Sequence, residues 1–146
     1  MVPAARYKES VDSETLTVVY VFRRGDLANP CFFIPTNGKP ALCVKFCPKL
    51  FKKESNRNTV DLFDIPYKMV FAVATTDSIM VYSTQSLVPI ILVSNIIGHI
   101  HYATLTDISW NGSKIMGVSS SDGYCSFMIF DKNELGEELP LEGNFF

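Results

Sequence analysis

The chain has 146 residues, 47% of them hydrophobic and 12% aromatic, with only 19% charged. That composition excludes an intrinsically disordered segment and suits one ordinary folded unit. The net charge of −2 gives no whole-chain attraction to nucleic acid.

Residues 1–13 are polar and predict an irregular N-terminal segment. Thr15 to Arg24 is rich in β-branched and aromatic residues, which suit a pleated, half-buried surface. Gly25-Asp26 and Asn29-Pro30 punctuate it as turns. Cys31 to Ile34 predicts a short strand closed by Pro35 and Asn37-Gly38. Ala41 to Cys47 predicts another, stopped by Pro48, with Cys43 and Cys47 on one face. Residues 49–66 read as an exposed, basic loop insertion in which Val60 to Phe63 can dock locally. Met69 to Ala74 is nearly continuously apolar, as an inner strand buried on both faces would be. Thr75 to Ser78 turns the chain into Ile79–Tyr82, and Val88 to Val93 follows. Tyr102 to Trp110 alternates in part. Asn111-Gly112 is a hairpin turn, and Ile115–Val118 and Tyr124–Phe130 form a further hairpin around Asp122-Gly123. No segment has the pattern of an amphipathic helix, so the fold class is all-β with short antiparallel strands.

Two hairpins repeat: Val70 to Tyr82 around Asp77, and Ile115 to Asp131 around Asp122. The two aspartates are 45 positions apart, inside the period of about 40–45 residues of WD repeats. The second copy ends in Phe130-Asp131, where such a repeat ends in Trp-Asp. Phe22, Tyr82 and Phe130 close three copies of the same outer strand, the wider first spacing being taken up by residues 49–66. The predicted architecture is a partial WD-repeat β-propeller of about two and a half four-stranded blades, against roughly four to eight in a closed ring. Residues 14–35 would end one blade, 39–95 would form a whole one, and 101–142 most of the last, with 143–146 as a tail. Such a piece should leave apolar blade faces uncovered.

Cys31, Cys43, Cys47 and Cys125 form no Cys-x-x-Cys pair, and His99 and His101 complete no zinc pattern. Buried, reduced thiols are expected. Met1 to Ser10 has no signal-peptide core, and the apolar run Leu87–Gly98 is broken by Pro89, Ser94 and Asn95. It is far short of the roughly 20 residues of a membrane helix, so an intracellular soluble protein is the expectation. Arg24-Gly-Asp26 and the sequon at Asn111 read as turns.

The residues around the second hairpin are more specific. His101 to Trp110, Ser119-Ser-Ser-Asp-Gly-Tyr-Cys-Ser-Phe127 and Asp131-Lys-Asn-Glu-Leu-Gly136 resemble the middle, WD-repeat subunit of chromatin assembly factor 1. Lys39 to Pro48 and Ile65 to Ala74 look like the same family. Tyr20 to Leu27 is similar to its plant, FASCIATA-like form. The likeness covers residues 14–140 in family order. Two departures stand out: extra residues at Ile96-Ile-Gly-His-Ile100, and a shorter turn at Asn111–Lys114. The resemblance implies the last blades of a propeller in a nuclear histone chaperone complex that deposits H3–H4 on replicated or repaired DNA. It implies the complex's large and small subunits and histones H3–H4 as partners, no cofactor, no small-molecule substrate, no membrane and no direct DNA contact. It also implies that the last outer strand comes from the N-terminal end of the family's chain.

Asp77 and Asp122, with Gly123, are expected to hold their turns through backbone amides. By resemblance Asp122, Ser119 and His101 form the WD-repeat hydrogen-bond network, His99 being a rival. Phe130, in place of Trp, has no indole N–H to complete it, and Asp131 follows as the end of the repeat. Lys45, Lys49, Lys52, Lys53 and Arg57 form a basic cluster that is either a solvated loop or a contact for phosphate or an acidic partner. The acidic residues Asp131, Glu134, Glu137, Glu138 and Glu142 are the better electrostatic match to histones, with a solvated end as the alternative. No nucleophile–base pair, phosphate-cradling loop or metal cluster is legible, which predicts a non-catalytic scaffold. A different WD-repeat scaffold, such as a replication-independent histone chaperone or an adaptor outside chromatin, is the alternative.

Overall fold

The computed structural model describes residues 1–55, 63, 65–86, 88–93 and 100–140. Among them every regular element is a strand. Three antiparallel sheets follow one another along the chain. The first comprises β1 (Val2–Tyr7), β2 (Leu16–Val21) and β3 (Phe32–Pro35). The second comprises β4 (Ala41–Phe51), β5 (Lys68–Thr75), β6 (Ile79–Ser83) and β7 (Ile91–Val93). The third comprises β8 (Leu105–Asn111), β9 (Ile115–Ser120) and β10 (Cys125–Ile129). Each sheet is ordered as its strands occur in sequence, as in consecutive blades of a propeller.

The central sheet explains the apolar run of β5. Val70, Ala72 and Ala74 face one side, with Ile79 and Val81 of β6. There they pack with Leu105, Ile108, Met116 and Val118 of the third sheet. Phe71 and Val73 face the other side, with Met80 and Tyr82, against Val19, Val21 and Ile34 of the first sheet. Period-two alternation thus sends successive β5 residues into two different cores. Each core lies between sheets, so each sheet is stabilised by its neighbours. A fully buried Val, Ile or Phe contributes about 1.5–3 kcal/mol of transfer free energy there.

Three features differ from the sequence expectations. Residues 1–13 are not wholly irregular, because Val2–Tyr7 pairs with β2 as an edge strand. Its Tyr7 stacks on Phe33 at 4.4 Å. Pro48 does not stop β4, and the loop does not begin at 49, because the strand runs on to Phe51. The register shifts between Phe46 and Leu50, and β4 is an edge strand, so the missing proline N–H interrupts no inner ladder. Phe51 at its end is fully buried in the core shared with the third sheet.

The turns follow their residues. Asn37 and Gly38 both have positive φ (51° and 77°), as a type I′ connection requires. Gly136 has φ 117° and lies against Lys68, where a Cβ would come within 2.7 Å of Nζ. That close approach lets the chain after β10 cross back to the second sheet. The Lys52 N–H donates to the Glu137 carbonyl and the Leu139 N–H to the Leu50 carbonyl, both at 2.8 Å. Leu135 is buried in the same core as Phe51. Residues 135–139 are therefore a strap joining two sheets.

Candidate functional site

Asp122 sits in the turn between β9 and β10, and its carboxylate gathers three donors. The Tyr124 N–H reaches Oδ1 at 2.9 Å and the Tyr102 N–H reaches Oδ2 at 2.8 Å. The His101 Nδ1 lies 3.1 Å from Oδ2. Burial alone would raise the pKa of this carboxyl, but bonds from the Tyr124 and Tyr102 amides, His101 and Ser120 outweigh it and bring it down to about 2. Asp122 is therefore an acceptor at neutral pH, which places the His101 proton on Nδ1. The other nitrogen, Nε2, then accepts from the Ser126 hydroxyl at 2.9 Å.

The result is a Ser126–His101–Asp122 line with the connectivity of a nucleophile, base and orienting acid. The His101 side chain is only 1% exposed, and the neighbouring amides of Tyr102 and Tyr124 are spent on Asp122 rather than aimed at a place where an oxyanion would form. What the network holds is the segment entering the third sheet. Ser120 Oγ donates to the Ala103 carbonyl at 2.8 Å, and the Ser121 N–H to the Thr104 carbonyl at 3.0 Å. The Leu105 N–H then reaches the Thr76 carbonyl of the second sheet at 3.3 Å.

The first hairpin ties its aspartate to two side chains rather than to the neighbouring backbone amides that the sequence predicts. Asp77 accepts from Lys39 at 2.5 Å and from the Ser78 hydroxyl at 2.7 Å. Those bonds, Lys39 first, hold its carboxyl below the usual range. In both sheets a residue from the entering segment, Lys39 or His101, reaches the aspartate of the turn.

The predicted network is thus assembled from partly different residues. His101, Asp122 and Gly123 (φ 88°) are where the sequence places them. Ser119 is not a member: it pairs across the strand with Cys125, and its hydroxyl meets Thr106 at 2.8 Å. Ser126 takes its place, because strand alternation turns Ser126 and Met128 toward the second sheet and Cys125 and Phe127 away. Phe130 stacks on Trp110 at 5.5 Å, whose indole N–H donates to the Lys45 carbonyl at 3.1 Å. Asp131 is exposed and begins the turn to Glu134. His99 lies outside the described residues.

The basic cluster is largely spent locally. Lys45 pairs with Asp107 at 3.2 Å and Lys52 with Glu137. Lys49 and Lys53 are partly buried, and Arg57 lies outside the described residues. Of the acidic stretch, Glu138 accepts from Ser113 and Glu134 from the Asp131 N–H at 2.7 Å; Glu142 is outside the described residues. The expectation of buried thiols holds for Cys47 and in part for Cys43, whereas Cys31 and Cys125 are exposed. Burial raises the pKa of the Cys43 and Cys47 thiols. Among the described residues no three His, Cys, Asp or Glu side chains could hold a metal ion, and no helix is long and apolar enough to cross a membrane.

Consecutive antiparallel sheets with interleaved cores, the second and third each with a turn aspartate tied to the entering segment, define part of a WD-type β-propeller. Residues 1–135 match the sequence model of the CAF1B/HIR1 beta-propeller domain. The chain belongs to that family. It is 43% identical over 143 residues to the B-type subunit of chromatin assembly factor 1 of Mus musculus, covering 92% of this chain and 24% of that protein. It is 38% identical over 144 residues to the chromatin assembly factor 1 subunit FAS2 homolog of Oryza sativa subsp. japonica, covering 98% of this chain and 27% of that protein. Protein HIRA of Gallus gallus is 31% identical over 106 residues, 71% of this chain and 10% of that protein. The chain thus spans about a quarter of the length of its mouse and rice chromatin assembly factor 1 relatives.

Proposed function

We propose that the chain is a non-catalytic scaffold within the WD-repeat subunit of a chromatin assembly factor 1, in a nuclear histone chaperone complex that deposits H3–H4 during replication- and repair-coupled chromatin assembly. Its partners in this reading are the large and small subunits of that complex and histones H3–H4. It takes no cofactor and no small-molecule substrate, and it contacts neither membrane nor DNA directly. The observation that carries the reading is the graded similarity: 43% identity over 92% of the chain to the mouse chromatin assembly factor 1 protein, against 31% over 71% to a HIRA protein. The Ser126–His101–Asp122 line, its histidine buried and its carboxylate bonded to two backbone amides, supports a scaffold over an enzyme. Co-purification of the full-length protein with the large subunit and H3–H4 tests this. Recovery of neither would refute it, and recovery of a replication-independent histone chaperone complex instead would move the chain to the HIRA branch.

A further inference from the structure

A lysine is buried where two peripheral segments meet. Lys68 opens β5 opposite Phe51, the last residue of β4, and its side chain is 5% exposed. An ammonium removed from water is costly unless an opposite charge and hydrogen bonds compensate it. Lys68 pairs with the carboxylate of Glu54, just beyond the end of β4.

Glu54 is itself held in place. Its N–H donates to Gln85 Oε1 at 3.0 Å, and its carbonyl accepts from Gln85 Nε2 at 3.2 Å. Gln85 is buried, so its side-chain amide fixes the backbone at Glu54 much as a neighbouring strand would. The carboxylate is therefore presented to Lys68 from a set position.

The strap touches the same ammonium. At Gly136 a Cβ would come within 2.7 Å of Lys68 Nζ and 3.0 Å of its Cε, so this glycine leaves the space that the ammonium fills. Directly beyond it the Glu137 carbonyl and the Leu139 N–H are bonded to the Lys52 N–H and the Leu50 carbonyl. Lys68 thus contacts both the segment leaving β4 and the strap returning from the third sheet.

We propose that the Lys68 ammonium is a latch coupling these two segments, so that the seating of the strap depends on the Glu54 carboxylate. With Glu54 in place the ammonium is paired and lies against Gly136. Without it the charge turns toward water, and the closely packed strap shifts with it. Because coupling of this kind is reciprocal, a partner that draws Glu54 away loosens the strap, and one that lifts the strap frees Glu54. This goes beyond the scaffold reading and does not depend on which complex the chain joins.

The test is amide hydrogen exchange, followed by NMR on the full chain. The reporter is the Leu139 N–H in the strap, with the Met116 and Val118 amides of β9 as reference. Glu54→Gln removes the charge and leaves the two backbone bonds to Gln85. Glu54 is 60% exposed, so solvent screens the pair and the expected effect is local loosening rather than unfolding. Leu139 exchange should rise about tenfold and the β9 amides should change by less than about twofold. In a Lys68→Met background, which keeps the apolar stem and has no charge to compensate, Glu54→Gln should alter Leu139 by less than about twofold. Unchanged Leu139 exchange in Glu54→Gln would overturn the proposal: the ammonium would then reach water through the adjoining cavity of about 250 Å³, lined by Glu54, Lys68 and Gln85, without moving the strap. Equal acceleration in the Lys68→Met background would overturn it as well, and so would equal acceleration of the β9 amides, which marks a general loss of stability.

Discussion

Replacing Ser126 or Ser119 by alanine separates the observed network from the one the repeat motif suggests. His101 Nε2 has Ser126 Oγ as its partner at 2.9 Å, and the His101 side chain is 1% exposed. Ser126→Ala therefore leaves the buried His101 acceptor without its donor. An unsatisfied buried polar group costs about 1–3 kcal/mol. For a chain of this size about 2 kcal/mol lowers the melting temperature by roughly 6–8 °C. Ser119→Ala removes only an exposed hydroxyl bond to Thr106, which should cost under about 0.5 kcal/mol, or under about 2 °C. Ser126→Thr keeps the hydroxyl and should recover most of the loss. Thermal unfolding followed by far-UV circular dichroism reads all three. Equal destabilisation by the two alanine variants, or a larger effect at Ser119, would refute the assignment of the network to Ser126.

Acid should act through Asp122. Its folded pKa of about 2 lies below the ordinary 3.8, so its contribution is complete above the unfolded value and is lost as pH falls from about 4 toward about 2. Asp122→Asn should flatten the melting-temperature profile over that window, and an unchanged slope would contradict the bonding described. Cys31 and Cys125 should react rapidly with a thiol reagent such as Ellman's in the native protein, and Cys43 and Cys47 only slowly, since their thiols are buried and raised in pKa. Four equally fast thiols would show that the core between the second and third sheets is not closed. Phe127 and Ile129 are 71% and 77% exposed on one face of β10, so the isolated chain should self-associate through that face. Phe127→Lys/Ile129→Lys should shift it to monomer in sedimentation velocity, and a parent that is already monomeric when dilute and concentrated would count against an open blade face.

The parts of the fold legible in the sequence are those governed by local pattern. The β5 run reads as doubly buried because both of its alternating faces are apolar, and the turns read from Asn37-Gly38 and Asp122-Gly123. What was not legible depends on partners distant in sequence. The segment Val2–Tyr7 is short and contains Pro3 and Arg6; it becomes a strand only because β2 offers it an edge. Pro48 looks like a terminator until the register shift in β4 accommodates it. The strap through Glu137–Leu139 meets Leu50–Lys52 across most of the chain, and no residue type there announces it. The choice between Ser119 and Ser126 depends on which face of the hairpin points at His101. A one-residue change of parity reverses that choice, and the hairpin pairing fixes it. The basic cluster and the acidic stretch were separable as charges but not as a pair, since Lys52 and Glu137 meet only through the strap.

The repeated aspartate ties these observations together. Asp77 and Asp122 occupy equivalent turns and both reach back to the segment entering their own sheet, yet one meets a lysine and the other a histidine. The common requirement is therefore a donor on the entering segment, and the repeat can be satisfied by different side chains. That tolerance explains why a WD-type blade persists here although Phe130 cannot donate the bond of a tryptophan: Trp110 packs on the Phe130 ring and gives its own N–H to Lys45 of the preceding sheet. The indole bond then joins two sheets rather than bracing one. With both apolar cores, the strap and this bond all lying between sheets, the blades are rigid through their neighbours. Tyr102 and Tyr124 likewise have their backbones held to the Asp122 carboxylate at the turn end of the third sheet.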